Sequence, residues 1–116
     1  MKSPRRWRVS LAEQAETDFD DIIGWTTRVF GAARARVYAG VLHSALRDLS
    51  AGPSHPLARG FDVERGLGLL HVARKGRPGR HFLLFQSRPE EQHILVLRIL
   101  HDAMDLPRHV SDDGAP

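Results

Sequence analysis

The chain has 116 residues, of which 41% are apolar and 27% charged, and its formal net charge is +3 with seven histidines counted as neutral. These values are typical of one globular domain, and they exclude a collagen-like chain, a wholly disordered chain and a large two-domain enzyme. Cysteine is absent, which excludes disulfides, thiolate metal sites and a cysteine nucleophile. No apolar run approaches the roughly 20 residues of a membrane span, and no apolar segment follows the basic N-terminus, so we expect a cytoplasmic protein.

A short strand and a long helix are predicted at the start of the chain. Residues 7–11 alternate apolar and polar side chains, which is typical of a half-buried strand. Ser10 and Glu13 have the spacing of a capping box, in which a hydroxyl and a glutamate satisfy backbone N–H groups at a helix start. Residues 12–30 therefore predict an amphipathic helix with an acidic outer face. Its apolar stripe comprises Ala15, Phe19, Ile22, Ile23, Thr26 and Phe30.

A second helix is predicted directly after the first. Gly31 is a natural stop for the first helix, and a new apolar stripe at helical spacing continues until Gly52 and Pro53. Because the connection is so short, we expect the two helices to form an antiparallel hairpin. The second stripe comprises Val37, Tyr38, Val41, Leu42, Ala45, Leu46 and Leu49.

The second half of the chain changes to strand periodicity. Residues 52–66 are rich in glycine and proline and predict a long connection. Three apolar segments separated by short turns then predict an antiparallel meander, and the last is nearly continuous in apolar residues, as a central strand is. The predicted strands cover residues 67–72, 81–86 and 93–100, with turns at 74–79 and 88–91.

This order of elements predicts the fold class. Strand, helix, helix, strand, strand, strand corresponds to an α+β fold, β-α-α-β-β-β, with the helical hairpin packed on a small antiparallel sheet. We expect a single domain over residues 1–116, with an ordered core over about 7–110 and a frayed tail over 111–116.

Charge is unevenly distributed along the chain. Residues 67–101 carry six basic and two acidic side chains, whereas residues 12–50 carry four basic and six acidic ones. This asymmetry is compatible with a basic face that meets nucleic acid or an acidic protein, and equally with a solvated surface.

Two residues of the second half could carry chemistry. Arg98 interrupts an apolar strand, which costs energy unless the guanidinium either binds a phosphate or carboxylate ligand or forms a structural ion pair. His101 directly follows the same strand, where it could act as a general acid or base, or could pack at the rim of the sheet and bond to the backbone.

Other site types have no support in the sequence. The seven histidines are scattered without metal-ligand spacing, and the glycines near Lys75 lack the spacing of a phosphate-binding loop. The carboxylates concentrate in the first helix, where capping and solubility explain them. The sequence therefore predicts no metal and no cofactor.

Two segments resemble a known family. Residues 94–110, Ile-Leu-Val-Leu-Arg-Ile-Leu-His-Asp-Ala-Met-Asp-Leu-Pro-Arg-His-Val, are similar to the last strand and tail of the RelE/ParE toxin superfamily, ParE branch. Residues 74–85, Arg-Lys-Gly-Arg-Pro-Gly-Arg-His-Phe-Leu-Leu-Phe, resemble the central hairpin of that superfamily. The helical hairpin is similar as well, and the resemblance extends over about residues 7–110.

The resemblance implies the toxin of a type II toxin–antitoxin pair. The expected partners are a cognate antitoxin with an acidic, amphipathic C-terminal segment and DNA gyrase as the target, with no membrane and with operator DNA reached only through the antitoxin. One alternative is a ribosome-dependent, metal-independent mRNA endonuclease of RelE type, and another is a non-toxic binding module. The segment after the last strand contains no tyrosine, unlike the aromatic acid/base expected of the RelE branch, which favours a gyrase inhibitor without catalysis.

The resemblance and the charge pattern imply three sets of site residues. A gyrase-binding tail would use Met104, Asp105, Leu106, Arg108 and His109. An antitoxin surface on the central hairpin would use Arg74, Arg80, Phe82 and Phe85. A nuclease, if there is one, would use Arg80, Arg98 and His101.

Overall fold

The computed structural model describes residues 6–104, which form two helices and five strands. The α+β fold with a helical hairpin is confirmed, with one strand more than the sequence predicted. The later part of the predicted core and the predicted frayed tail lie outside the described residues. The elements are β1 (Arg8–Leu11), α1 (Glu13–Phe30), α2 (Ala32–Asp48), β2 (Ala58–Asp62), β3 (Leu67–His71), β4 (His81–Arg88) and β5 (His93–His101).

The strands form one sheet in the order β1-β5-β4-β3-β2. As predicted, the apolar strand β5 is internal, between β1 and β4. The prediction of an antiparallel sheet is wrong in one respect, because β1 runs parallel to β5 and the sheet is mixed. The parallel pairing follows from the helical hairpin between β1 and β2, which carries the chain back across the sheet before the meander begins. As a result, β5 runs in the same direction as β1.

The predicted connection over residues 52–66 contains the additional strand. β2 pairs with β3 at the edge of the sheet, and a single helical turn over Val63–Arg65 follows it. The Asp62 side chain caps that turn by accepting a hydrogen bond of 3.2 Å from the Arg65 N–H. β2 was missed because it is short, has no fully buried residue and is interrupted by Gly60, so it shows no strand periodicity.

The two ends of α1 differ in how well the sequence predicted them. The capping box is wrong: Ala12 occupies the N-cap, and the Ser10 hydroxyl lies 2.5 Å from Nε2 of buried His93 on the neighbouring strand. The predicted stop at Gly31 is confirmed, since Gly31 separates the helices with a φ of +93°, a conformation that favours glycine.

The main core lies between the helical hairpin and one face of the sheet. Phe19, Ile22 and Leu46 pack against it from the helices, as the predicted stripes require. The ends of the stripes were assigned wrongly, because Phe30 is 54% and Val37 68% exposed at the tip of the hairpin. A second, smaller apolar cluster covers the other face of the sheet and is formed by Leu67, Leu69, Leu84 and Leu100, with Phe61, Phe82 and Leu97 against it.

A buried carboxylate joins the helices to the sheet. Asp18 of α1 is only 9% exposed, and its Oδ2 accepts hydrogen bonds of 2.9 Å from both the Ile99 N–H and the Arg98 Nε. The register of β1 with β5 ends at Val96, so Asp18 supplies the acceptor that the next strand would have given to Ile99. Of the two interpretations of Arg98, the structural ion pair is therefore the one observed.

Removing this carboxylate should destabilise the whole domain. We expect Asp18→Ala to lower the free energy of unfolding by about 3 kcal/mol, because it removes a buried ion pair with the Arg98 guanidinium and leaves the Ile99 N–H without an acceptor. Urea unfolding followed by circular dichroism measures the loss. Asp20→Asn, an exposed carboxylate of the same helix, is the control and should change stability by no more than about 0.5 kcal/mol. Equal effects for the two variants would contradict this role of Asp18.

Candidate functional site

An open groove runs beside the helical hairpin and is the candidate functional site. Its volume is about 1070 Å³, and its lining is mostly apolar with charged residues at the rim. It lies between the helical hairpin and the β3–β4 loop. We call it the hairpin groove; it is lined by residues of α1 between Asp21 and Phe30, of α2 between Arg34 and Val41, by the loop 76–80, and by His81 and His101.

The apolar wall of the groove consists of large exposed side chains. Trp25 and Phe30 of α1 meet edge to face with ring centroids 5.8 Å apart. Val37 of α2 completes the wall, and the Arg34 guanidinium lies 5.8 Å from the centroid of the Phe30 ring. Exposed aromatic side chains clustered beside arginine are typical of surfaces that bind another protein.

The basic rim is held in place by the β3–β4 loop. Arg74 and Arg77 exchange two backbone hydrogen bonds of 2.9 and 2.8 Å, which close a tight turn at Lys75 and Gly76. The Arg74 guanidinium faces inward, where it donates to Asp48 and to two backbone carbonyl oxygens. Arg74 therefore fixes the loop, whereas Arg77 lines the groove and donates to the Ser44 hydroxyl at 3.1 Å.

One corner of the groove contains a tyrosine–histidine pair. The Tyr38 hydroxyl lies 2.6 Å from His81 Nδ1 and accepts a hydrogen bond of 3.0 Å from the Arg80 N–H. The Tyr38 hydroxyl therefore bridges the backbone of the loop and the ring of His81. Burial and the neighbouring His101 lower the pKa of His81 to about 4, and burial raises the pKa of Tyr38.

An acidic residue ties the ends of three strands together at the same corner. Asp102 accepts from Arg80 Nε at 3.0 Å and from His71 Nε2 at 2.9 Å. The bond from His71, together with that from Arg80, holds the pKa of Asp102 below its usual value. The Ala73 N–H donates to His71 Nδ1 at 3.1 Å, so the ring proton of His71 is on Nε2 and points to the carboxylate.

The ring nitrogens of His101 limit what this corner can do. The Ala103 N–H donates to His101 Nδ1 at 3.0 Å, so the neutral ring of His101 carries its proton on Nε2. In this state His101 has no free ring lone pair with which to remove a proton from a substrate. His101 therefore presents a hydrogen-bond donor to the groove, which suits binding of acceptor groups better than general-base catalysis.

The structure brings together only some of the predicted site residues. Arg80 and His101 both line the groove, and His101 bonds to the backbone as one interpretation expected, whereas Arg98 binds Asp18 and does not line the groove. Met104 is 38% exposed just beyond β5. The other predicted residues of the gyrase-binding tail lie outside the described residues; these are Asp105, Leu106, Arg108 and His109.

Two of the predicted antitoxin residues, Phe82 and Phe85, also lie away from the groove. Phe82 alternates with His81 along β4 and lies on the other face of the sheet, where it contacts His71. Phe85 is 2% exposed, and its ring covers Gly68 so closely that a Cβ atom there would come within 2.5 Å of it. Phe85 is thus a core residue and offers no surface to a partner, which corrects its predicted role.

Sequence reasoning missed Trp25, Tyr38 and His81 as site residues. Trp25 stands outside the apolar stripe of α1, which was the available signal for an exposed aromatic residue. Tyr38 and His81 are 43 positions apart, and their pairing follows only from packing.

Two further observations limit the possible functions. Among residues 6–104, no helix is long and apolar enough to cross a membrane. In the same part of the chain, no group of three or more histidine and carboxylate side chains is arranged to hold a metal ion.

Comparison with known proteins identifies the family. The profile of the ParE toxin of type II toxin–antitoxin systems, parDE, matches residues 9–106. The toxin ParE of Escherichia coli is 33% identical over 102 residues, which cover 88% of this chain and 91% of that protein. The chain belongs to the ParE toxin family. It is therefore the toxin component of a type II toxin–antitoxin system.

Solved structures agree on the fold of this ParE-family toxin. A chain of the chromosomal ParDE system from P. aeruginosa superposes with a TM-score of 0.68 at 18% identity, covering 83% of this chain and 96% of that one. A chain of the RelBE2 toxin–antitoxin complex from Mycobacterium tuberculosis gives 0.56 at 21% identity, covering 83% and 98%. Identities this low show the fold alone.

The depressed pKa of His81 makes stability depend on pH. In the unfolded chain this histidine takes up a proton near pH 6.5, but in the folded protein only near pH 4. Between these values the unfolded chain binds more protons, so the contribution of His81 to stability is full above pH 6.5 and is lost as the pH falls to 4.

We expect His81→Asn to reduce the loss of Tm between about pH 7.5 and about pH 4.5, because the amide keeps an acceptor for Tyr38 but does not titrate. Scanning calorimetry at the two pH values measures the effect. His43→Asn, which removes an exposed histidine of α2, should keep the wild-type difference. A His81→Asn protein with the wild-type pH dependence would contradict the assignment.

Proposed function

We propose that this ParE-family toxin inhibits DNA gyrase by binding and is neutralised by a ParD-like antitoxin. The observation that carries the proposal is the state of His101, whose Nδ1 atom already accepts a hydrogen bond from the Ala103 N–H. A metal-independent nuclease needs a base with a free lone pair and several basic groups around a phosphate. Here Arg98 is bound to Asp18, so the set Arg80, Arg98 and His101 is not assembled. Family membership supports gyrase as the target.

The hairpin groove supports the second half of the proposal. Its apolar wall of Trp25, Phe30 and Val37 lies beside a basic rim that includes Arg36 and Arg77. A partner that covers both must combine apolar and acidic side chains, as an amphipathic acidic segment does. The relative from M. tuberculosis forms a complex with its antitoxin, which is the arrangement we propose here.

The mode of action can be tested at His101. We expect His101→Gln to retain most of the growth arrest that follows induction, because binding energy is spread over a surface and no proton transfer depends on this ring. A nuclease would lose roughly 10²–10⁴-fold in rate with its acid/base group. Gyrase supercoiling and cleavage of ribosome-bound mRNA are measured in parallel with purified protein.

Two results would contradict gyrase inhibition. One is mRNA cleavage that disappears in His101→Gln while supercoiling is never affected. The other concerns a chain ended after Met104, which keeps Asp102 and its bonds to Arg80 and His71. We expect this truncated protein to lose inhibition of gyrase but to bind the antitoxin, so full inhibition by the truncated protein would exclude the tail as the gyrase-binding element.

The antitoxin site can be tested with one apolar and one charged substitution. We expect Trp25→Ala to weaken antitoxin binding by roughly 2 kcal/mol, because a large aromatic side chain in an interface is a typical hot spot. We expect Arg77→Glu mainly to slow association and to reduce its salt dependence. Both are measured by surface plasmon resonance with the antitoxin.

Matched substitutions away from the groove provide the controls. Val63→Ala removes an exposed apolar side chain, and Arg88→Glu reverses an exposed charge near the opposite end of β4. Both should leave the affinity and the association rate unchanged. Effects as large as those of Trp25→Ala and Arg77→Glu would place the antitoxin elsewhere on the toxin.

A further inference from the structure

Neither the backbone conformation nor the internal packing of the chain explains why position 40 is a glycine. It lies in the interior of α2, where glycine is the least favourable residue for helix formation after proline. It is not among the glycines with positive φ. A Cβ atom built on Gly40 would meet nothing within 4 Å, so neither backbone conformation nor internal packing requires glycine at this position.

The position of Gly40 on the surface supplies a reason. It is exposed and lines the hairpin groove, between Val37 one turn before it and Ser44 one turn after it. The row of side chains at i, i+4 and i+8 passes through Arg36, Gly40 and Ser44, so the missing side chain leaves a notch in a ridge of α2. Such a notch lets the backbone of another molecule approach closely.

The size of the groove fits a helix as the occupant. A helix about 10 Å in diameter and two turns long occupies roughly 850 Å³, and the groove measures about 1070 Å³. Between Arg36 and Ser44, α2 itself runs for about 12 Å, or two turns. The apolar wall formed by Trp25 and Val37 would contact one face of such a helix. The rim arginines Arg36 and Arg77 would then face acidic residues at its edges.

We infer that Gly40 is the point at which a helix of the antitoxin crosses α2, backbone against backbone. This inference rests on the proposed function, since it takes the antitoxin to be the occupant of the groove. Gly40 then determines specificity: an antitoxin helix fits only if it carries a small residue at the crossing point, with acidic residues about one turn to either side.

The test is a pair of glycine substitutions in the two helices. Gly40→Ala and Gly24→Ala make the same change in a helix interior, but Gly24 is outside the groove lining, and a Cβ there makes only an ordinary contact of 3.5 Å with Arg28. We expect both to raise the Tm of the free toxin by roughly 4 °C, because alanine favours the helix. This gain separates an effect on binding from a failure to fold.

Binding is measured by isothermal titration calorimetry with the full-length protein encoded by the reading frame next to that of the toxin. We expect Gly40→Ala to raise the Kd at least about tenfold, because one added methyl group overpacks the crossing point, and Gly40→Leu to raise it further. Gly24→Ala should bind with the wild-type Kd.

The outcomes separate this inference from the proposed function. Wild-type affinity in Gly40→Ala, or an equal loss in Gly24→Ala, would overturn the role of Gly40 and leave the antitoxin assignment standing. Absence of binding to the wild-type toxin would remove the antitoxin assignment and this inference with it. Loss of gyrase inhibition in Gly40→Ala with antitoxin binding unchanged would assign the notch to gyrase and overturn the inference.

Discussion

The architecture depends on one buried carboxylate, that of Asp18. β1 pairs with β5 only as far as Val96, so β1 offers no acceptor to the buried N–H of Ile99. Asp18 provides the missing acceptor and neutralises Arg98 with the same group. It thereby ties α1, which forms one side of the groove, to β5 beyond the end of β1.

The sequence predicted the parts of the fold that depend on local periodicity. The helical hairpin and the β3–β4–β5 meander were found because their apolar spacing and turn residues lie within a few positions of one another. The parallel pairing of β1, the edge strand β2 and the true partner of Ser10 were not predicted. Each depends on a contact between distant residues, as when Ser10 bonds to His93, 83 positions away, instead of capping α1.

The site was less predictable than the fold for the same reason. From sequence alone, Arg98 could equally bind a ligand or an acid, and only the packing of α1 on β5 brings Asp18 to it. His101 was identified as a possible acid or base, but its hydrogen bond from Ala103 determines which ring nitrogen carries the proton. The exposed apolar wall was only partly recognisable, since Trp25 stands outside the stripe of α1 but Phe30 and Val37 continue the same stripes that form the core.

The parallel pairing of β1 with β5 determines when the fold can be completed during synthesis. Arg8–Leu11 align with His93–Val96, and Asp18 finds its partners only at Arg98 and Ile99. Contacts of such long sequence separation form late in folding. A nascent chain that ends before β5 lacks the partner of β1, the partners of Asp18 and the side of the groove that His101 forms. The groove is therefore complete only once β5, the last described strand, has been made.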